Sequence, residues 1–185
     1  GEKELFHDES VKIPLIIRHP GDPGGRESGA LVEAIDLLPT FVDALGGRVP
    51  DKRLEGRSLL PLLRGQTPAA WRDVVISELD YSHRRARQSL GRPINGARAW
   101  MLLDSRWKFI HYQGFRPQLF DMQEDPNEQR DLGESPEHQA LCMRLRDRLF
   151  EWLACDRKVR VTLPEEAIEA RTDNWKQKGV IFGDW

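Results

Sequence analysis

Three short runs constrain the fold of this chain more than anything else in it: Ala97 to Leu103, Trp107 to Tyr112 and Gln118 to Asp121. They are rich in aromatic and aliphatic residues, and the turn signals Asp104-Ser105 and Gly114 separate them. Strand, turn and strand in close succession predict an antiparallel meander. Such a sheet needs at least one face covered. The sequence supplies a cover directly after Asp125-Pro126-Asn127 ends the strand region. Ser135 stands where it can N-cap a helix opening with Pro136 and Glu137. Leu141, Leu145, Leu149 and Trp152 or Leu153 recur at helical spacing, giving that helix one apolar stripe to lay across the sheet. Trp100, Trp107, Phe109 and Tyr112 are expected to form the packed face of the sheet.

The first half of the chain has a different texture. Val11 to Ile17 is a β-branched run that ends in the breaker-rich segment His19-Pro20-Gly21-Asp22-Pro23-Gly24-Gly25, which predicts a buried strand entering a surface loop. Leu31 to Ile35 predicts another strand. Asp36 is placed to N-cap a helix from Leu37 to Leu45, which stops at Gly46-Gly47 and carries Leu37, Leu38, Phe41, Val42 and Leu45 on one face. A short helix over Arg57 to Leu63 precedes Gly65, and Val74 to Ser77 reads as a strand. Alternation of strand and helix is the pattern of an α/β layer fold. The organisation is therefore read as residues 1–95 closing an α/β domain and residues 96–155 forming an antiparallel sheet with one packed helix. Residues 156–185 read as an irregular tail, with a short helix from Pro164 to Ala170 and an apolar finish, Val180 to Trp185, suited to a subunit contact.

Charge excludes some partners. With 28 basic against 30 acidic residues the net charge is -2, so nothing in the balance draws the chain to nucleic acid or to an anionic membrane. No apolar run approaches the roughly 18 residues that a membrane span needs. Cys142 and Cys155 form no C-x-x-C and have no nearby His at ligand spacing, which fits reduced thiols in a cytoplasmic protein. The opening Gly-Glu-Lys-Glu has neither an initiating Met nor a signal-peptide layout, and reads as the middle of something longer. A complete active site is not found: there is no G-x-S-x-G elbow, no glycine-rich phosphate loop and no H-E-x-x-H. The histidines at 7, 19, 83, 111 and 138 are scattered, with no pair at the spacing of a metal site.

Three ordered blocks carry a family resemblance. The segment Gly1-Glu2-Lys3-Glu4-Leu5-Phe6-His7-Asp8-Glu9-Ser10-Val11-Lys12-Ile13-Pro14-Leu15-Ile16-Ile17 resembles a sulfatase stretch in which a lysine precedes an aromatic residue, acidic residues, and then basic-hydrophobic-Pro-Leu-Ile. Ala34-Ile35-Asp36-Leu37-Leu38-Pro39-Thr40-Phe41, with Leu54-Glu55-Gly56-Arg57-Ser58-Leu59-Leu60-Pro61-Leu62-Leu63, is similar to a "D-L-x-P-T … G-x-S-L-x-P-L-L" pair. Arg106-Trp107-Lys108-Phe109-Ile110, Gln118-Leu119-Phe120-Asp121 and Asp125-Pro126-Asn127-Glu128-Gln129-Arg130-Asp131-Leu132 resemble "R-x-K-Y-I … E-L-Y-D-L … D-P-x-E-x-x-N-L". Together they resemble the C-terminal part of the sulfatase family of the alkaline phosphatase superfamily. Glu169-Ala170-Arg171-Thr172 and the closing Gly183-Asp184-Trp185 are similar to the finish of its phosphonate monoester hydrolase branch.

The resemblance implies an alkaline-phosphatase-like α/β/α layer fold whose last part lies here, and a parent hydrolase that cleaves sulfate esters or phosphonate and phosphate monoesters. It implies a formylglycine nucleophile and a divalent metal of the Ca or Mn/Zn type, both held mainly by residues upstream of this chain, with none expected in the chain alone. Lys3 matches the family lysine that contacts the oxygens of the transferred group, a role suited to a compact ammonium with three donors. His7 is a further pocket candidate. Tyr81 and Arg84 lie on a segment, Glu78 to Arg85, that follows a predicted strand and whose arginines suit an anionic ester, although a solvated loop is the commoner role for such a run. The expected partners are a small anionic substrate, the N-terminal catalytic region of the same protein and, as a further candidate, a second copy of the chain. The alternative is a binding or structural module that kept the fold without the chemistry.

Overall fold

The meander forms as expected, and it gains a fourth strand. Strands β1 (Val75–Asp80), β2 (Arg98–Leu103), β3 (Trp107–Tyr112) and β4 (Gln118–Asp121) lie in the order β1-β2-β3-β4, every neighbouring pair antiparallel. The structure is a computed structural model that describes residues 5–20, 24–48 and 54–156. Lys3, the helix expected at 164–170 and the tail at 180–185 lie outside the described residues. The strand expected at 74–77 is thus β1, at the edge of this sheet, and its hydrogen bonds to β2 cross the division drawn at residue 95.

Register decides which side chains share a face. Ala99 pairs with Tyr112, Leu102 with Phe109 and Phe109 with Leu119. Trp100, Leu102, Trp107, Phe109 and Leu119 therefore point to one side, where α5 (Gln139–Glu151) lays down Cys142, Leu145 and Leu149. The alternate residues Ala99, Met101, Ile110 and Phe120 point to the other side, where Phe6 of the N-terminal segment seals them. A sheet covered on both faces explains why its strands read as nearly continuous apolar runs. Tyr112 corrects the expectation of one aromatic face: three residues beyond Phe109, it falls on the opposite side from the helix, packed near Phe6. Each fully buried aliphatic or aromatic side chain here contributes about 1.5–3 kcal/mol. Ser135 does precede the helix, but its hydroxyl lies 3.1 Å from His138 Nδ1 and caps no backbone N–H; a 3-10 turn, Pro136–His138, leads into α5.

Among the described residues the strands expected over 11–17 and 31–35 do not form. In place of the strand over 11–17, α1 (Asp8–Val11) is followed by unpaired backbone, with Ile13 73% and Ile16 95% exposed. A β-branched run becomes a strand only beside a partner, and no described strand lies beside it. The run over 31–35 gives a 3-10 turn, Ala34–Asp36, that continues into α2 (Leu37–Ala44). The apolar stripe of α2 faces outward, leaving Leu38, Phe41 and Leu45 exposed, while Pro39 and Thr40 are buried.

Asp36 does not cap α2 with its side chain, as expected; it is fully buried instead. Its Oδ1 accepts from Arg57 N (2.8 Å) and Arg72 Nη2 (2.6 Å), and its Oδ2 from Glu33 N (2.8 Å) and from Arg72 Nη1. Thr40 Oγ1 donates to Asp36 O and accepts from Leu59 N. The two blocks "D-L-x-P-T" and "G-x-S-L" are therefore sewn together just ahead of α3 (Leu60–Leu63). Gly56 makes this approach feasible, because a Cβ there would lie 2.1 Å from Ile35 O.

Candidate functional site

On the Phe6 side of the sheet, where the end of β1 meets the β3–β4 turn, the surface opens into a cavity of about 460 Å³. Leu5 and His7 border it from the N-terminal segment, Leu79 and Tyr81 from β1 and its exit, Arg84, Ala86 and Leu90 from the following loop, and Tyr112, Phe115, Arg116 and Gln118 from the β3–β4 region. The three described residues expected at a pocket, His7, Tyr81 and Arg84, thus border one cavity although more than 70 residues separate the first from the others.

Local chemistry holds each wall in place. Tyr81 N donates to Ala97 O, which extends the β1–β2 ladder by one residue past Asp80 and buries the ring. The basic stretch beyond it folds into α4 (Arg85–Ser89). Arg87 turns inward, Nε donating to Ser82 O (2.6 Å) and Nη1 to Arg92 O (3.1 Å), which pins both ends of the loop and leaves Arg84 at the rim. Opposite, Gly114 takes a φ of 78°, and the Arg92 guanidinium sits where a Cβ would be, donating to Gln113 O and lying 5.0 Å from the Phe115 ring centre. Tyr112 is partly buried, and that burial pushes its phenol above the usual range, so it stands as a neutral hydrogen-bond donor at pH 7. Arg116 is engaged by Asp131 at 2.7 Å and Glu134 at 3.8 Å. Among the described residues, no Asp or Glu borders the cavity.

Behind His7 lies a cluster that was not singled out from the sequence. Lys108, on β3, has no exposed surface. Its ammonium donates to Phe6 O (3.2 Å) and lies 2.5 Å from Asp8 Oδ1 and 2.8 Å from Glu128 Oε1. Glu128 in turn accepts from Asp8 N through Oε2 (2.7 Å) and faces His7 Nδ1 at 3.6 Å through Oε1, which accepts no well-directed hydrogen bond and is balanced by the Lys108 ammonium. Glu128 adopts a left-handed backbone with φ of 53°, a conformation that non-glycine residues rarely take. One buried cation thereby clasps Phe6 and Asp8, and Glu128, which it also meets, faces the intervening His7. Burial pushes the Asp8 carboxyl up, but the hydrogen bond and charge of Lys108, with Lys12 adding to them, outweigh it and hold the group below the ordinary range. The signal for this cluster was the lysine itself, at an inward position of a β-strand otherwise made of aromatic and aliphatic residues.

Elsewhere the family motifs are structural. Arg106 forks onto Asp121, Nε to Oδ1 and Oδ2 and Nη2 to Oδ2 at 2.6 Å, and Asp131 Oδ1 accepts from Leu119 N and Gly133 N. Cys142 is buried in the α5 interface with its thiol pushed up by that burial, and Cys155 is exposed; both are free thiols. Among the described residues no three His, Cys, Asp or Glu side chains converge as a metal centre requires. These residues do not fit a divalent ion. No described helix is long and apolar enough to cross a membrane.

Residues 2–154 match the family described as "N-sulphoglucosamine sulphohydrolase, C-terminal". The chain is 29% identical over 152 residues to the multifunctional alkaline phosphatase superfamily protein PehA of Trinickia caryophylli, covering 80% of this chain and 29% of that protein. It is 30% identical over 152 residues to the Delta 4,5-hexuronate-2-O-sulfatase of Bacteroides thetaiotaomicron, covering 80% of this chain and 30% of that protein. Among solved structures, the phosphonate monoester hydrolase SpPMH from Silicibacter pomeroyi superposes with a TM-score of 0.69 at 32% identity, over 80% of this chain and 31% of that one. The chain spans less than a third of the length of each.

Proposed function

Because the chain belongs to this C-terminal sulfatase family, we propose that it is the C-terminal part of a hydrolase that cleaves sulfate esters or phosphonate and phosphate monoesters. The observation that carries the proposal is the match over residues 2–154, together with PehA, a hexuronate sulfatase and a phosphonate monoester hydrolase as relatives. The formylglycine nucleophile and the divalent metal that the family resemblance implies would be supplied by the rest of the protein, since the described residues offer a metal no seat. Lys3 would place its ammonium against the non-bridging oxygens of the group being transferred. A cation fixed there stabilises the charge that grows in the transition state more than the charge of the ground state. One residue, Glu4, separates Lys3 from Leu5 at the border of the cavity, and the clasp of Lys108 on Phe6 and Asp8 sets the position from which that segment departs.

The exposed apolar side chains support a contact with the catalytic region of the same protein. Ile13, Leu15 and Ile16 on the unpaired segment, and Leu38, Phe41 and Leu45 on α2, lie in water in this chain alone. Apolar surface of that extent marks an interface. An unpaired β-branched run at 12–17 is also suited to join a sheet supplied from outside. The test is to purify the complete protein and this chain separately and to assay both with an aryl sulfate and a phenyl phosphonate monoester. Turnover by the complete protein and none by the chain is expected. Turnover by the chain alone, or an inert complete protein, would overturn the proposal.

A further inference from the structure

An apolar side chain in place of Lys108 would suit the sheet at least as well as an ammonium does. Lys108 has no exposed surface, and its cross-strand neighbours are Leu103 and Phe120. Taking an ammonium out of water is costly, and well-packed apolar replacements of buried ion pairs are often as stable or more so. The charge is accounted for by what it holds. We infer that Lys108 and Glu128 are positioning residues for catalysis, fixing the chain at Phe6 and Asp8 so that Lys3, three residues upstream of Phe6, is presented to the group being transferred. This inference rests on Lys3 acting as proposed.

Two backbone groups of the N-terminal segment are taken by the pair. Phe6 O accepts from Lys108 Nζ (3.2 Å), and Asp8 N donates to Glu128 Oε2 (2.7 Å). They lie two residues apart, one an acceptor and one a donor, so they fix the position and the direction of the main chain whatever side chains it carries. The Phe6 ring is a third point, 3% exposed and sealed against Ala99, Met101, Ile110 and Phe120. Asp8 Oδ1 and Glu128 Oε1 both lie against the same ammonium, which ties the two anchors together. Glu128 keeps its place through a left-handed backbone, φ 53°, with its N donating to Asp125 O (3.1 Å). A conformation of that cost persists where its surroundings over-determine it, and such residues gather where a position matters to function. From Lys3 to Phe6 the chain runs three residues, at most about 11 Å fully extended. A shift at Phe6 therefore passes into the placement of the Lys3 ammonium, and a displacement of about 1 Å at a catalytic group can lower a rate about a hundredfold. Strand β3 thus contributes to the rate from behind the site, through a cation that no substrate touches.

The experiment measures kcat and KM of the complete protein and of its Lys108→Met, Lys3→Ala and combined Lys3→Ala/Lys108→Met variants, with an aryl sulfate and a phenyl phosphonate monoester. Lys108→Met is expected to lower kcat about tenfold with KM within about threefold, because a transition-state contact is weakened and ground-state binding is not. In the Lys3→Ala background the same substitution should cost less than about twofold, since the group it positions has gone. Two further variants separate position from stability. Lys108→Met with Glu128→Gln removes the stranded charge, so it should fold better than Lys108→Met and still be slow by about tenfold. Where Lys108→Met does not fold, this double variant takes its place in both backgrounds. Leu149→Ala opens the helix-covered face of the same sheet, away from Phe6, and should lower Tm while leaving kcat within about twofold. Lys108 variants as fast as the parent, a tenfold loss that persists undiminished in the Lys3→Ala background, or an equal loss of kcat in Leu149→Ala would overturn the inference. The two readings fail on different variants. A slow Lys3→Ala beside a Lys108→Met as fast as the parent sinks this inference and leaves Lys3 in its role. A Lys3→Ala as fast as the parent removes Lys3 from the site and sinks both.

Discussion

Replacing Lys108 by Met keeps most of the side chain's volume and removes its charge. What remains depends on how each partner can recover. Asp8 has 23% of its side chain exposed and Lys12 at 3.3 Å, so it regains water and keeps a cation. Glu128 has 2% exposed and loses the only Lys or Arg that lies against it among the described residues, keeping Asp8 N and His7. Removing one partner of a buried ion pair costs about 3–5 kcal/mol, largely the penalty of the charge left behind. With one of two carboxylates able to recover, the lower end applies, about 3 kcal/mol, or a fall in Tm of about 10 °C for a chain of this size. Urea unfolding at neutral pH, followed by circular dichroism, measures it. The double variant Lys108→Met with Glu128→Gln should regain at least about 1.5 kcal/mol, because the stranded charge has gone. A loss below about 1 kcal/mol, or a double variant no better than the single one, would refute the view of Lys108 as a buried clasp.

Stability should fall on the acid side through Asp8 and Asp131. Both carboxyls are held below the ordinary 3.8, so below that pH the unfolded chain takes up protons before the folded one does. Their contribution is complete above about pH 3.8 and is lost as the pH drops through the folded values; Asp8→Asn should flatten that part of a stability–pH profile, and an unchanged slope would count against the assignment. Asp36→Ala should cost about 3 kcal/mol by leaving the Arg72 guanidinium, whose side chain is 7% exposed, with the Glu33 carboxylate at 3.7 Å in place of its forked partner. Hydrogen exchange should show the loss around residues 33–60, whereas a variant within about 0.5 kcal/mol of the parent would contradict the role given to Asp36. Gly56→Ala should destabilise by more than about 1 kcal/mol, since its Cβ must displace the Ile35 carbonyl, and equal Tm values would disprove the close approach.

The meander and α5 were legible in the sequence because local signals and tertiary contacts agree there. Turn residues fall between the strands, and the stripe of Leu145 and Leu149 meets Leu102, Phe109 and Leu119. The first half was less legible for a physical reason. The run at 11–17 has strand propensity, but propensity is realised only against a partner strand, and its Ile16 lies in water here. Asp36 sits where a helix cap belongs, yet its carboxylate found stronger donors in Arg72 and in Arg57 N, which only the folded chain brings near. Tyr112 leaves the face that Trp107 and Phe109 share because the two-residue period of a strand sends it to the cavity side. At the candidate site, His7, Tyr81 and Arg84 were nameable, but their convergence was not, since it depends on the β1–β2 ladder and on the Lys108 clasp.

The proposed role of this chain is to complete a sulfatase-type hydrolase and to bring Lys3 to the group being transferred. It is tested most directly by kcat/KM of the complete protein and of its Lys3→Ala variant with an aryl sulfate and a phenyl phosphonate monoester. Loss of a transition-state contact predicts a fall of well over about tenfold, expressed in kcat as well as in kcat/KM. A variant as active as the parent would contradict the account.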